Sequence, residues 1–168
     1  MNDYVRHAYG DPCRTCGYDW SRDEADCRTS IAAAPARYAA ICAGHDGREQ
    51  LVGLEWNAGA YVAHAADNTR IWAERLAAAA LGAPGSVTGY DQDLLASARG
   101  YATLQLEGSL WLLARGVGDW HDAEARCGER EIEITHPDMG PLPRSAVRRI
   151  VLHELVHHEL DVAEILQA

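Results

Sequence analysis

Apolar residues recur at helical spacing in four stretches of this chain, with turn residues between them. Over residues 23–43 an alanine-rich stretch sets Ile31, Tyr38, Ile41 and Cys42 on one helical spacing, and Pro35 is expected to kink or split it. His45-Asp46-Gly47 marks a turn. A second helix is predicted over 58–81, ended by Gly82 and Pro84. A third is predicted over 92–115, carrying Leu94, Leu95, Ala98, Tyr101, Ala102, Leu112 and Leu113, with Gly116 and Gly118 closing it. The pattern then changes: residues 130–135 alternate with period two, and Cys127-Gly128 reads as a hairpin turn. The loop 136–141 leads to a fourth helix over 144–166. Residues 1–21, broken by Gly10, Pro12 and Gly17, read as irregular. No repeat or linker interrupts the 168 residues. The pattern predicts one all-α domain, a four-helix bundle with a small β-hairpin excursion before the last helix.

The last helix carries the chemistry. Its run His153-Glu154-Leu155-Val156-His157-His158-Glu159-Leu160-Asp161 contains two overlapping i,i+4 pairs, His153/His157 and Glu154/His158. Residues four apart lie one above the other on a helix, so either pair is spaced to grip a divalent metal, and only one is expected to face the interior. At about 100° per residue, Val147, Val151, Leu155, Val162, Ile165 and Leu166 form one apolar stripe. His158 falls near its middle, Glu154 within roughly 40° of His158, and Asp161 at the stripe's edge. His153 and His157 project roughly 100–140° away, on the side of Glu164, where a solvated face is the plain reading. The projection favours Glu154/His158 as the inward pair. A carboxylate and an imidazole in an apolar stripe are costly to bury without a partner, and a cation satisfies both, as does a mutual hydrogen bond.

His64 is the best third ligand. At helical spacing it shares a face with Ala60, Asn68, Ile71 and Arg75. Three protein ligands with an open fourth position describe a catalytic zinc site, whereas a structural site is closed by four. Asn68 and Arg75 are placed to act around such an opening, and Asp161 to orient His158 from behind.

Composition narrows the partners. A net charge of −10 argues against nucleic acid and anionic membrane surfaces. No secretory signal is visible and no stretch approaches the roughly 18 apolar residues of a membrane span. The expectation is a cytoplasmic protein acting on a small molecule. Five cysteines, an odd number, do not suggest a disulfide framework.

Val62-Ala63-His64 in the second helix and the His/Glu cluster in the last resemble the DinB/YfiT-like metal-binding four-helix bundles, near the group that includes mycothiol-dependent maleylpyruvate isomerase. The resemblance spans nearly the whole chain in helix order. In the isomerase branch a glutamate precedes the last-helix histidine by four residues and an aspartate follows it by three; Glu154, His158 and Asp161 match that register. The resemblance implies His64, Glu154 and His158 as metal ligands, with His64, His153 and His157 as the rival register. It implies a divalent metal, zinc first and nickel as the alternative, and chemistry on a low-molecular-weight thiol: S-transfer to, or isomerisation of, a small electrophile. It is also compatible with a homodimer. The chain is too short for the isomerase's additional C-terminal domain. Two other readings stand beside the enzyme: a non-catalytic metal-binding or stress-response bundle and, more weakly, a metal-dependent hydrolase. A cavity reaching the metal favours an enzyme, and a sealed site favours a binder.

Two further motifs remain. His153-Glu154-Leu155-Val156-His157 matches the H-E-x-x-H pattern of zinc proteases, but Leu160 and Ala163 stand where the extended motif needs glycine and histidine. Cys13-Arg14-Thr15-Cys16-Gly17 resembles half of a zinc ribbon. Its completion needs two more ligands, for which Cys27, Cys127 and His7 are candidates. Free thiols, a structural zinc and a disulfide all stay open.

Overall fold

A computed structural model describes residues 3–168. The chain is mostly helical, in the order α1 (Asp3–Tyr9), α2 (Glu24–Ile41), α3 (Ala58–Ala80), α4 (Gln92–Arg99), α5 (Leu106–Cys127), β1 (Glu133–His136), β2 (Gly140–Pro143) and α6 (Arg144–Gln167). The four long helices, α2, α3, α5 and α6, pack around one core: α3 lies against α5 and α6, and α2 against the same two. Ile31, Leu76, Leu113, Trp120, Val151 and Leu155 meet there, all fully buried. Each such side chain contributes about 1.5–3 kcal/mol on leaving water. Among the described residues, no helix is long and apolar enough to cross a membrane.

Side-chain caps set where the helices begin. Asp23 accepts from the Asp26 amide to start α2, Asn57 from the Ala60 amide to start α3, and Asp91 from the Asp93 and Leu94 amides to start α4. The Asn57 cap, 2.8 Å long, fixes the helical phase that puts His64 inside two turns later.

Several expected boundaries move. Pro35 does not split α2, which runs through it unbroken. The third expected helix is two: Gly100, at φ +64°, ends α4, and a 3-10 turn at Tyr101–Thr103 leads into α5. α5 then continues past Gly116 and Gly118 to Cys127. Gly116 is a packing residue, not a stop: a Cβ there would lie 3.0 Å from the Ala66 carbonyl oxygen, so α3 and α5 approach closely at that point. The hairpin sits later than expected, with Ile134 opposite Leu142 in an antiparallel pair and the turn at 137–139, not at Cys127-Gly128. The N-terminal segment is not wholly irregular, since α1 occupies part of it. Trp20 Nε1 donates to the Gly10 carbonyl (3.0 Å) and folds the segment back on itself.

Two buried ionic groups tie the layers together. Arg148, on α6, is 1% exposed and reaches Glu24 of α2 and Glu124 of α5. Asp67, on α3, accepts from Tyr101 Oη (2.6 Å) and pairs with Arg99 and Arg70, which fastens α4 and the 3-10 turn to α3.

Candidate metal centre

α3 and α6 bring His64, Glu154 and His158 together, with one ligand atom from each lying within 4.8 Å of the others. His64 Nε2 is 3.7 Å and His158 Nε2 3.6 Å from the same Glu154 oxygen, Oε2. The two rings stand edge to face, with centroids 4.7 Å apart and planes at 88°. His64 is 2% exposed and its Nε2 has no hydrogen-bond partner, which is expensive for a buried nitrogen. Ligands about 2.0–2.1 Å from a tetrahedral zinc lie about 3.3–3.4 Å apart, so the two sides that meet at Glu154 need a contraction of only a few tenths of an ångström. Two imidazoles and a carboxylate suit zinc or nickel, and the residues fit a divalent cation.

Asp161 stands where the register places it. Its Oδ2 is 2.8 Å from His158 Nδ1, an arrangement that turns the other ring nitrogen toward the site. Burial works against charge on His158, but Asp161 and Glu154 outweigh it and hold the imidazole's pKa up at about 9. Burial likewise opposes ionisation of Glu154, yet His153, His158 and His64 keep its carboxyl well below the usual range.

A cavity of about 190 Å³ reaches Glu154 and its neighbour His153 but not His64 or His158, and Asn68, Arg75, Tyr9 and Tyr90 also line it. Asn68 Nδ2 donates to the Tyr90 hydroxyl (3.4 Å), while its Oδ1 is buried without a partner. The Arg75 guanidinium lies 4.6 Å over the Trp72 ring and donates to the Thr88 carbonyl. The Glu154 charge and burial push the Tyr9 phenol up, and burial and Glu154 do the same to Tyr90, so both remain neutral donors. A larger hollow of about 500 Å³ beside Trp20, Pro141 and Arg149 contains none of the clustered ligands.

The other i,i+4 pair is not on a solvated face. The N-terminal segment covers it, leaving His153 1% exposed. Both pairs therefore point at protein, in two directions, contrary to the expectation that only one would. His153 and His157 meet Cys13 and Cys16, again with ligand atoms within 4.8 Å, and Cys13 Sγ is 3.8 Å from His157 Nδ1. All five cysteines are free thiols. Burial disfavours the Cys13 thiolate, but the Cys16 amide, His153 and His157 outweigh it and lower its pKa; burial and Cys13 raise that of Cys16. The other suggested partners of Cys13 and Cys16 are elsewhere: Cys27 contacts the Tyr18 hydroxyl, Cys127 donates to the Ala123 carbonyl, and His7 is exposed.

The H-E-x-x-H pattern is thus divided between two clusters, its histidines in one and its glutamate in the other. The cavity lining from Tyr9, Trp20 and His136 carried no sequence signal, because these residues come from segments far apart in the chain. No family model, curated protein or solved structure matches this chain.

Proposed function

We propose that the four long helices form a DinB-like four-helix bundle, and that the protein is a divalent-metal-dependent enzyme. In this reading it transfers a low-molecular-weight thiol of the mycothiol type to a small electrophile, or uses that thiol to isomerise one. The observation that carries it is the His64, Glu154 and His158 set itself, three ligands where a closed site takes four, with Glu154 also lining a cavity. A bound cation supplies Lewis acidity that lowers a thiol's pKa, so that thiolate exists at neutral pH.

This chain's own residues do the rest. Glu154 and the paired Nε2 atoms of His64 and His158 form the ligand set, and Asp161 holds the His158 ring in place. Asn68 Oδ1 accepts a hydrogen bond from the bound thiol's amide or hydroxyl groups. Arg75 places a positive charge on the cavity wall, suited to a carboxylate on the electrophile. Tyr9 and Tyr90 remain protonated and donate to developing negative charge. Trp20 and Trp72, both buried, give the cavity an apolar wall.

The test is spectroscopic and then chemical. Cobalt-loaded protein is titrated with mycothiol and, separately, glutathione. The expected result is a change in the d–d spectrum that disappears in His64→Ala/His158→Ala, followed by thioether or isomer formation with an added electrophile. If neither thiol perturbs the metal, the thiol role fails. A metal-binding protein without turnover is then the better reading.

A further inference from the structure

Cys13, Cys16, His153 and His157 play no part in the chemistry proposed above. We infer that these four side chains hold a zinc ion in a closed site that fastens the N-terminal segment onto α6.

The donor set is the first reason. Two cysteines and two histidines, with no further position left open, are a structural zinc constellation. The spacings suit it on both sides. Cys13-x-x-Cys16 lies in a tight turn closed by the Gly17 amide donating to the Cys13 carbonyl (2.9 Å), with Gly17 at φ +69°, a conformation glycine adopts without strain. His153 and His157 sit one turn apart on α6. Sulfurs about 2.3 Å from a tetrahedral zinc lie about 3.8 Å apart, and sulfur and nitrogen slightly less. The 3.8 Å between Cys13 Sγ and His157 Nδ1 is already close to that spacing.

The second reason is independent of the ligand pattern. His153 is 1% exposed and neither ring nitrogen has a hydrogen-bond partner. A buried imidazole with neither nitrogen hydrogen-bonded is costly. Trp20 and Tyr9 crowd the ring, with centroids 4.5 and 4.6 Å away, and Tyr18 stands edge-on at 5.4 Å. None of these side chains hydrogen-bonds to the ring. A cation bound by one ring nitrogen removes the deficit, and the other lies within reach of Glu154, with Nδ1 3.6 Å from Oε1.

The site has a consequence for the cavity. Tyr9 and Trp20, on either side of the Cys13–Cys16 turn, are also cavity walls at Glu154. The zinc would hold these walls in place without touching substrate.

Cobalt substitution of the full, reduced chain tests this. The wild type should show intense thiolate-to-cobalt charge-transfer absorption. That band should vanish in Cys13→Ser/Cys16→Ser and persist in His64→Ala/His158→Ala, which separates this site from the one proposed for chemistry. Metal loading of the wild type should also protect both thiols from alkylation, a readout that holds even where the cysteine variant does not fold. Absence of the charge-transfer band in the wild type, its survival without the two cysteines, or a Cys13–Cys16 disulfide with no metal uptake after reduction would overturn the inference.

Discussion

Glu154 Oε1 lies 3.6 Å from Nδ1 of His153, its neighbour in sequence, and its other oxygen faces His64 and His158. Consecutive residues of α6 thus belong to two different candidate metal clusters, and the carboxylate of Glu154 stands between them. The helix achieves this because side chains one residue apart diverge by about 100°. One divergent direction meets α3, and the other meets the N-terminal segment.

Asp161→Asn should weaken metal binding at His64, Glu154 and His158 by roughly 10–100-fold, the usual cost of losing a carboxylate behind a ligating histidine. Competition with a chromophoric chelator measures it. The Cys13/Cys16 cluster, which Asp161 does not touch, should retain its metal.

Metal uptake at the same three residues should be pH-dependent. His158 titrates at about 9 in the metal-free protein and must lose its proton to ligate. Affinity there should rise about tenfold per pH unit from neutrality toward pH 9, with one proton released per metal, as calorimetry in buffers of different ionisation enthalpy would show. Without metal, the raised pKa of His158 adds stability that is complete below about pH 6.5 and lost as pH rises through 9. Glu154 acts in the opposite sense: its depressed pKa adds stability above about pH 4.3 that is lost as pH falls. Thermal melts of chelator-treated protein should therefore decline on both the acid and the alkaline side.

Asn68→Ala should leave metal content unchanged and weaken thiol or substrate binding by roughly tenfold, the worth of about one hydrogen bond. Equilibrium binding to the metal-loaded protein provides the measurement. An unchanged affinity would remove Asn68 from the site.

Part of the His64, Glu154 and His158 cluster was legible because helical period alone puts Glu154 beside His158 and because His64 lies on a face with Asn68 and Arg75. The projection covers Glu154 and His158; His64, on another helix, was the third candidate that the resemblance implied, and the three lie together. The second cluster was not legible as a unit. Both halves were visible, Cys-x-x-Cys near one end and His-x-x-x-His near the other, but Cys13 and His157 are 144 residues apart, and no local pattern pairs them. His153 looked solvent-facing because a projection of α6 contains only that helix. It does not contain the segment that covers it. The glycines misled for a related reason: Gly100 breaks a helix through its positive φ, whereas Gly116 serves a helix–helix contact that sequence alone does not reveal.

That contrast is itself testable. Gly116→Ala should destabilise the protein by about 1–3 kcal/mol, since the new methyl meets the Ala66 carbonyl. Gly118→Ala, facing open space on the same helix, should stabilise by up to about 1 kcal/mol. Chemical denaturation of the two variants gives the comparison directly.

α6 contributes to two candidate metal clusters at once, and metal content decides whether both are sites. Zinc-reconstituted, tag-free wild type should hold two equivalents by elemental analysis. Glu154→Ala/His158→Ala and His153→Ala/His157→Ala should each lose one and retain the other. A wild type that holds one equivalent or none, or a single pair whose loss removes all the metal while the other pair's loss removes nothing, would contradict the two sites.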